Sequence, residues 1–133
     1  MATQTMTLSN FENTIDDNDI VMIDFWAGWC APCRAFEPIY EAASDKHEDV
    51  VFARVDTEAE RSLAGMFGIR SIPTLAVFRQ GILLFKQPGM LPGDVLEDLI
   101  GQVKKLDMDD VRAKIAEEEA AQNEGAGPSD ADA

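Results

Sequence analysis

Cys30 and Cys33 are the only cysteines in the chain, and they stand two residues apart in Trp29-Cys30-Ala31-Pro32-Cys33. An apolar run, Ile20 to Phe25, and then Gly28 precede them, and the residues after them read as a helix. This spacing puts both sulfurs on the first turn of that helix, where unpaired backbone N–H groups and the helix dipole favour negative charge. A thiolate is stabilised there. Cys30, the more N-terminal and the more exposed, is the expected nucleophile, and Cys33, one turn further in, the resolving thiol. Two blander readings stand beside this one. A structural disulfide would close so small a loop that it would restrict the unfolded chain only slightly. Half of a zinc site would need more ligands than His47 offers, because there is no second cysteine pair.

Asp24 is the second candidate. It lies inside a run of otherwise apolar residues. Burying an ionised carboxylate without a partner is costly, so the group must stay protonated, find polar company, or reach solvent at the end of the strand.

Asp24-Phe25-Trp26-Ala27, the Trp-Cys-Ala-Pro-Cys segment and Ile72-Pro73-Thr74, separated and in this order, resemble the bacterial-type thioredoxins over roughly residues 5–106. The link between Cys-x-x-Cys and dithiol chemistry is general, and thioredoxins are themselves its usual example. The resemblance implies that Asp24 is the general acid/base for Cys33 and that the Ile72–Pro73 bond is cis. It also implies that the Ile72 backbone pairs with an extended substrate segment by strand addition. Trp29, Ala31, Pro32, Ile72, Pro73, Gly89 and Met90 are then the substrate-binding patch. Two departures carry weight. Bacterial thioredoxins commonly place a Lys near the buried Asp, and the matching position here is Phe52, which leaves Asp24 harder to ionise. Ala31 stands where the commonest motif has Gly, at a position that affects thiolate stability and hence reduction potential.

The elements that must position these residues follow from patterning. Thr5 to Leu8 suits a short strand, and Ser9-Asn10-Phe11-Glu12 has capping-box spacing for a helix running to Ile15. Ile20 to Trp26, apolar on both faces, is expected at the centre of the sheet. A helix from about Cys33 to His47 presents Phe36, Ile39, Tyr40 and Ala43 on one face, with Pro38 inside it to kink it and His47 at its surface end. Val50 to Asp56 is the next strand, reached by a right-handed parallel crossover. Glu58 to Phe67 reads as a helix with Leu63, Met66 and Phe67 inward, Gly68 ending it, and Ala59, Ala64 and Gly65 as packing choices. Gln80-Gly81 joins Leu75–Arg79 to Ile82–Gln87 as an antiparallel hairpin. Pro92-Gly93-Asp94 opens a helix with Val95, Leu96, Leu99, Ile100 and Val103 inward.

The chain has 133 residues, 46% of them hydrophobic, which suits one compact domain. Its net charge is −14, and residues 107–133 hold nine acids against Arg112 and Lys114, half of the excess. Such a balance argues against nucleic-acid binding, which needs clustered Lys and Arg. No apolar run approaches a membrane span, and residues 1–10 lack a basic region followed by an apolar one. A cytoplasmic location is therefore expected.

The expectation is an α/β, thioredoxin-like fold: a central mixed five-stranded sheet flanked by helices, plus an extra C-terminal helix. Residues 1–106 form the thioredoxin domain and 107–121 an acidic helical extension with Met108, Val111 and Ile115 on one stripe. Residues 122–133 are expected as a disordered tail. The expected function is protein-disulfide reduction by a monomer, with no metal and no bound cofactor. The resemblance implies disulfide-containing protein substrates and recycling by NADPH through thioredoxin reductase. An alternative from another class is a binding or chaperone-like module that uses the apolar patch and the acidic helix.

Overall fold

The computed structural model describes residues 2–123 in full and, beyond them, only the backbone course of the last helix. In chain order the elements are β1 (Thr3–Thr5), α1 (Phe11–Asp17), β2 (Ile20–Trp26), α2 (Ala31–Lys46) and β3 (Val50–Asp56). They continue with α3 (Arg61–Met66), β4 (Thr74–Arg79), β5 (Ile82–Pro88), α4 (Gly93–Lys105) and α5 (Met108–Asp132). The five strands form one mixed sheet in the order β1-β3-β2-β4-β5. β1 and β2 each run parallel to β3, while β4 runs antiparallel to both β2 and β5. The fold class matches expectation, with β2 at the centre of the sheet.

Strand alternation sorts the residues of β2 onto two faces. Val21, Ile23 and Phe25 join Met6, Ile15, Ala53, Val55, Leu63, Ala76 and Phe78 in one core. Phe67 closes that side, with edge-to-face or tilted contacts to Phe11, Phe25 and Phe78. Met22 and Asp24 point the other way, beside their register partners Phe52 and Arg54 on β3. α2 covers this face: Tyr40 packs on Phe52 and on Phe36, and its hydroxyl donates to the Ala53 carbonyl at 2.9 Å.

Several local expectations are corrected. The first strand is Thr3–Thr5 rather than Thr5–Leu8. Met6 adds one more backbone bond, to Arg54, and the chain then turns at Thr7. The capping box does not form. Asn10 is the N-cap, its Oδ1 accepts from Thr7 N–H at 2.9 Å, and Ser9 Oγ pairs with Thr7 Oγ1. α1 runs on to Asp17, and α2 begins at Ala31 with Pro32 in its first turn. Ile39 on α2 is only half-buried. α3 starts at Arg61 rather than Glu58, because Asp56 Oδ1 accepts from the N–H groups of Glu58 and Ala59 and holds that stretch as a turn. Met66 is 63% exposed, and Ala59 and Gly65 are exposed too, so these three do not pack inward. Gly68 does end α3, at φ +65°, where other residues are strained.

Gln80 and Gly81 take φ of 53° and 79°, the left-handed pair of a two-residue hairpin turn. In α4, Leu96, Ile100 and Val103 are buried, Leu99 half-buried, and Val95 exposed against expectation. His47 is half-buried rather than a free surface group, its Nε2 2.8 Å from Glu97 Oε1. The chain divides into compact units of residues 1–100 and 101–133. Within the second, Met108 is buried and Val111 and Ile115 half-buried, while the neighbouring α5 side chains through Asn123 are exposed. From residue 124 on, the expected disordered tail lies outside the fully described residues. No described helix is long and apolar enough to cross a membrane.

Candidate active site

The two cysteines sit at the start of α2 because Ala27-Gly28 carries the chain off β2 and Cys30 caps the helix. Cys30 takes an extended backbone conformation as N-cap, and its Sγ accepts from the Cys33 N–H at 3.2 Å. A donor aimed at that sulfur, with the positive end of the dipole behind it, favours a thiolate on Cys30 whenever the pair is reduced. Here the pair is oxidised. Cys30 and Cys33 are joined as a disulfide with Cα atoms 5.2 Å apart. Both are buried, at 4% and 1%, so Cys30 is only slightly the more exposed.

The Ile72–Pro73 peptide bond is cis, as expected. The Ile72 carbonyl oxygen lies 3.7 Å from Cys30 Sγ. The Pro73 carbonyl accepts from Gly89 N–H at 2.8 Å, which ties the Gly89-Met90 loop to the same place. Trp29, 69% exposed, lines with Ile72, Ile69 and Ala64 an open groove of about 540 Å³. Ala31, Pro32, Gly89 and Met90 are exposed, Ile72 is half-buried and Pro73 is buried. The structure thus links Cys30 to Ile72 and Trp29 to Ile72, and brings Gly89 to Pro73.

Asp24 has no solvent exposure, so it does not escape to water at the end of the strand. Arg54 Nε lies 3.4 Å from Asp24 Oδ2, whereas Asp24 Oδ1 is buried without a hydrogen-bond partner among the described residues. Burial pushes the carboxyl up from 3.8 to about 6, against the opposing pull of Arg54. The same burial, reinforced by Asp24, holds the Tyr40 phenol well above its usual range. Cys33, Glu37 and Tyr40 follow one another at helical spacing of four and three, so they share one face of α2. Glu37 Oε2 reaches Arg54 at 3.2 Å and Tyr40 bonds Ala53, so this face is the one turned to the Asp24 strand pair.

The thioredoxin family model matches residues 2–102. A relative named for thioredoxin 2 in Streptomyces coelicolor is 52% identical over 119 residues, 90% of this chain and 89% of its own. That span cannot fit within residues 1–106 and therefore reaches into the acidic extension. The thioredoxin of Alicyclobacillus acidocaldarius is 37% identical over 103 residues, 77% of this chain and 98% of its own. A solved variant thioredoxin from Halobacterium salinarum superposes with a TM-score of 0.74 at 31% identity, over 79% of this chain and 93% of that one.

The chain belongs to the thioredoxin family. It is a thiol–disulfide oxidoreductase with a redox-active cysteine pair. Among the described residues no cluster of three or more His, Cys, Asp and Glu is arranged to hold a metal ion. No feature of the site favours the binding-module alternative. Sequence reasoning missed one residue of this thioredoxin site, Arg54. The expectation that Phe52 stands at the usual Lys position and leaves Asp24 without a cation is corrected: Phe52 pairs in register with Met22, and Arg54, the register partner of Asp24, supplies the cation. A signal was present: Asp24 and Arg54 are each the fifth residue of two parallel strands that pair from their first residues, Ile20 and Val50.

Proposed function

We propose that this thioredoxin-family chain is a protein-disulfide reductase working by dithiol exchange. The observation that carries the reading is the cysteine pair at the α2 N-cap, with a backbone donor on Cys30 Sγ and the Ile72 carbonyl beside it. Starting from the dithiol, the Cys30 thiolate attacks one sulfur of a target disulfide. A Cys30–target S–S bond forms, the target's own S–S bond breaks, and the departing thiolate takes up a proton. Cys33 then gives its proton to Asp24, and its thiolate attacks Cys30 Sγ. The mixed disulfide breaks, the second target thiolate leaves and is protonated, and the Cys30–Cys33 disulfide remains. Two electrons have passed to the target.

Asp24 suits the role of acceptor because its Oδ1 has no hydrogen-bond partner among the described residues while Arg54 lies beside Oδ2. With a carboxyl near pH 6 it is mostly ionised at neutral pH, and the resolving step weakens as pH falls through about 6. Trp29, Ala31, Pro32, Gly89 and Met90 offer an exposed, largely apolar surface for loop-presented or partly unfolded disulfides, and Ile72 and Pro73 offer backbone to an extended segment. Recycling is assigned to NADPH through a thioredoxin reductase, and the working compartment to the cytoplasm, where dithiols are kept reduced. The working form is a monomer. Residues 1–106 carry the activity, with 107–121 as an accessory acidic helix.

Insulin disulfide reduction, driven by dithiothreitol or by NADPH and a thioredoxin reductase, tests this. Wild type precipitates the insulin B chain and Cys30→Ser does not. A folded wild type without activity would reject general protein-disulfide reduction and leave a specialised redox partner.

A further inference from the structure

The groove beside Trp29 starts at the reacting sulfur and carries a charge pattern opposite to that of the molecule. Trp29 precedes Cys30 in the chain, and Ile72, which also lines the groove, has its carbonyl oxygen 3.7 Å from Cys30 Sγ. Two cations line it as well, Arg61 from the first residue of α3 and Arg70 from the loop before Ile72. The acids nearby are largely engaged elsewhere. Asp56 Oδ1 accepts from the Glu58 and Ala59 N–H groups, and Glu60 Oε1 accepts from the Leu8 N–H at 2.9 Å. Glu58 lines the groove, but its Oε2 is 3.9 Å from Arg61 Nη2 and the two side chains are 56% and 80% exposed, so that pair is loose. Arg70 is exposed and pairs with no acid among the described residues. Two guanidinium groups against one carboxylate thus flank an apolar floor, in a chain whose net charge is −14. At physiological salt, charges more than about 8 Å away are largely screened, so the groove's own cations outweigh the distant acids.

We propose that Arg61 and Arg70 are specificity-determining residues that select target disulfides flanked by an apolar side chain and carboxylates. The inference deepens the protein-disulfide reductase reading and rests on it. The carboxylates should fall within about four residues of the attacked cysteine, since an extended segment of that length reaches about 13 Å. Apolar contact with the floor holds the segment, and the two guanidinium groups reward Asp or Glu and penalise Lys or Arg at its edges. Elsewhere on this acidic molecule the same carboxylates are repelled. The net charge alone would therefore favour basic targets, and the groove favours the reverse.

The test uses short two-cysteine peptide disulfides that share one apolar residue and carry three Glu, three Gln or three Lys beside one cysteine. Each is reduced by the full chain in its dithiol form, and the second-order rate constant is divided by that of the same peptide with dithiothreitol, which removes the peptide's own reactivity. The variants are Arg61→Gln, Arg70→Gln, the double variant and Lys46→Gln, which removes a cation from a separate groove between α2 and α4. Wild type should reduce the Glu peptide roughly three- to ten-fold faster than the Gln peptide, and the Lys peptide more slowly than either. Each arginine variant should lose part of that preference and the double variant most of it, with the Gln peptide changed by less than about two-fold. Lys46→Gln should keep the preference, and high salt should shrink it. A wild type fastest on the Lys peptide, an equal loss in Lys46→Gln, or a preference that survives the double variant would overturn the inference. Arg61 is 80% exposed, so its variant reads specificity without putting the fold at stake. A Gln peptide reduced with no preference between charges rejects only this inference, whereas a wild type that reduces none of the peptides rejects the reductase reading and the inference with it.

Discussion

Cys30 and Asp24 are buried to almost the same degree, yet their surroundings do opposite things. The sulfur rests at a helix start, with the Cys33 N–H, three residues on in sequence, pointed at it. The carboxylate is buried in the central strand, and the one group that favours its charge comes from a residue thirty positions away. Desolvation outweighs that group, so the net effect is a raised carboxyl. Local backbone geometry thus supports the proposed nucleophile, whereas tertiary register governs the proposed proton acceptor. Perturbing one should leave the other largely intact.

The largest expected effect is at the local end. Cys30→Ser should lower insulin reduction by at least about 1,000-fold, since no other thiol can begin the exchange. Cys33→Ser should instead trap the target on Cys30, which intact-mass analysis under non-reducing conditions would reveal. Next comes stability at the tertiary end. The folded carboxyl of Asp24, near 6, exceeds its usual 3.8. Stability from this group is therefore fully present below 3.8 and is lost as pH rises through about 6. Asp24→Asn, uncharged throughout, should be more stable than wild type at pH 7.5 by up to about 3 kcal/mol, and the gain should vanish near pH 4. Urea denaturation at the two pH values checks this, and equal gains at both would show that the carboxyl is not raised. Tyr40→Phe removes a buried hydroxyl that satisfies the Ala53 carbonyl and should cost about 1–3 kcal/mol at every pH. The smallest effect is expected from the C-terminal extension: a chain ending at Leu106 should keep activity within about two-fold. A larger loss would give the extension a part in catalysis, in keeping with the similarity that the Streptomyces relative carries into it.

The same contrast explains what could be read in the sequence. The cysteine pair, the strands at Ile20–Trp26 and Val50–Asp56 and the Gln80-Gly81 turn are short-range patterns, and each appears where its residues place it, whereas the cis bond before Pro73 is legible only through the family resemblance. Arg54 was missed because its importance depends on how two strands align, which neither strand states alone. The starts of α1 and α3 were misplaced because Asn10 and Asp56 spend their side chains on the preceding turns, a competition that spacing rules do not arbitrate. Met66 and Val95 show the limit of periodicity: it groups residues on a face but does not say how far cover extends across it.

The most direct measurement is rapid-mixing kinetics of the two half-reactions with a disulfide substrate between pH 5 and 9, for wild type and Asp24→Asn. Attack by Cys30 should be nearly unchanged by the substitution. Resolution by Cys33 should be slowed in Asp24→Asn and should lose the limb near pH 6 that wild type shows. Equal slowing of both steps, or a resolving step indifferent to Asp24, would contradict the division between a locally supported nucleophile and a proton acceptor set by the tertiary fold.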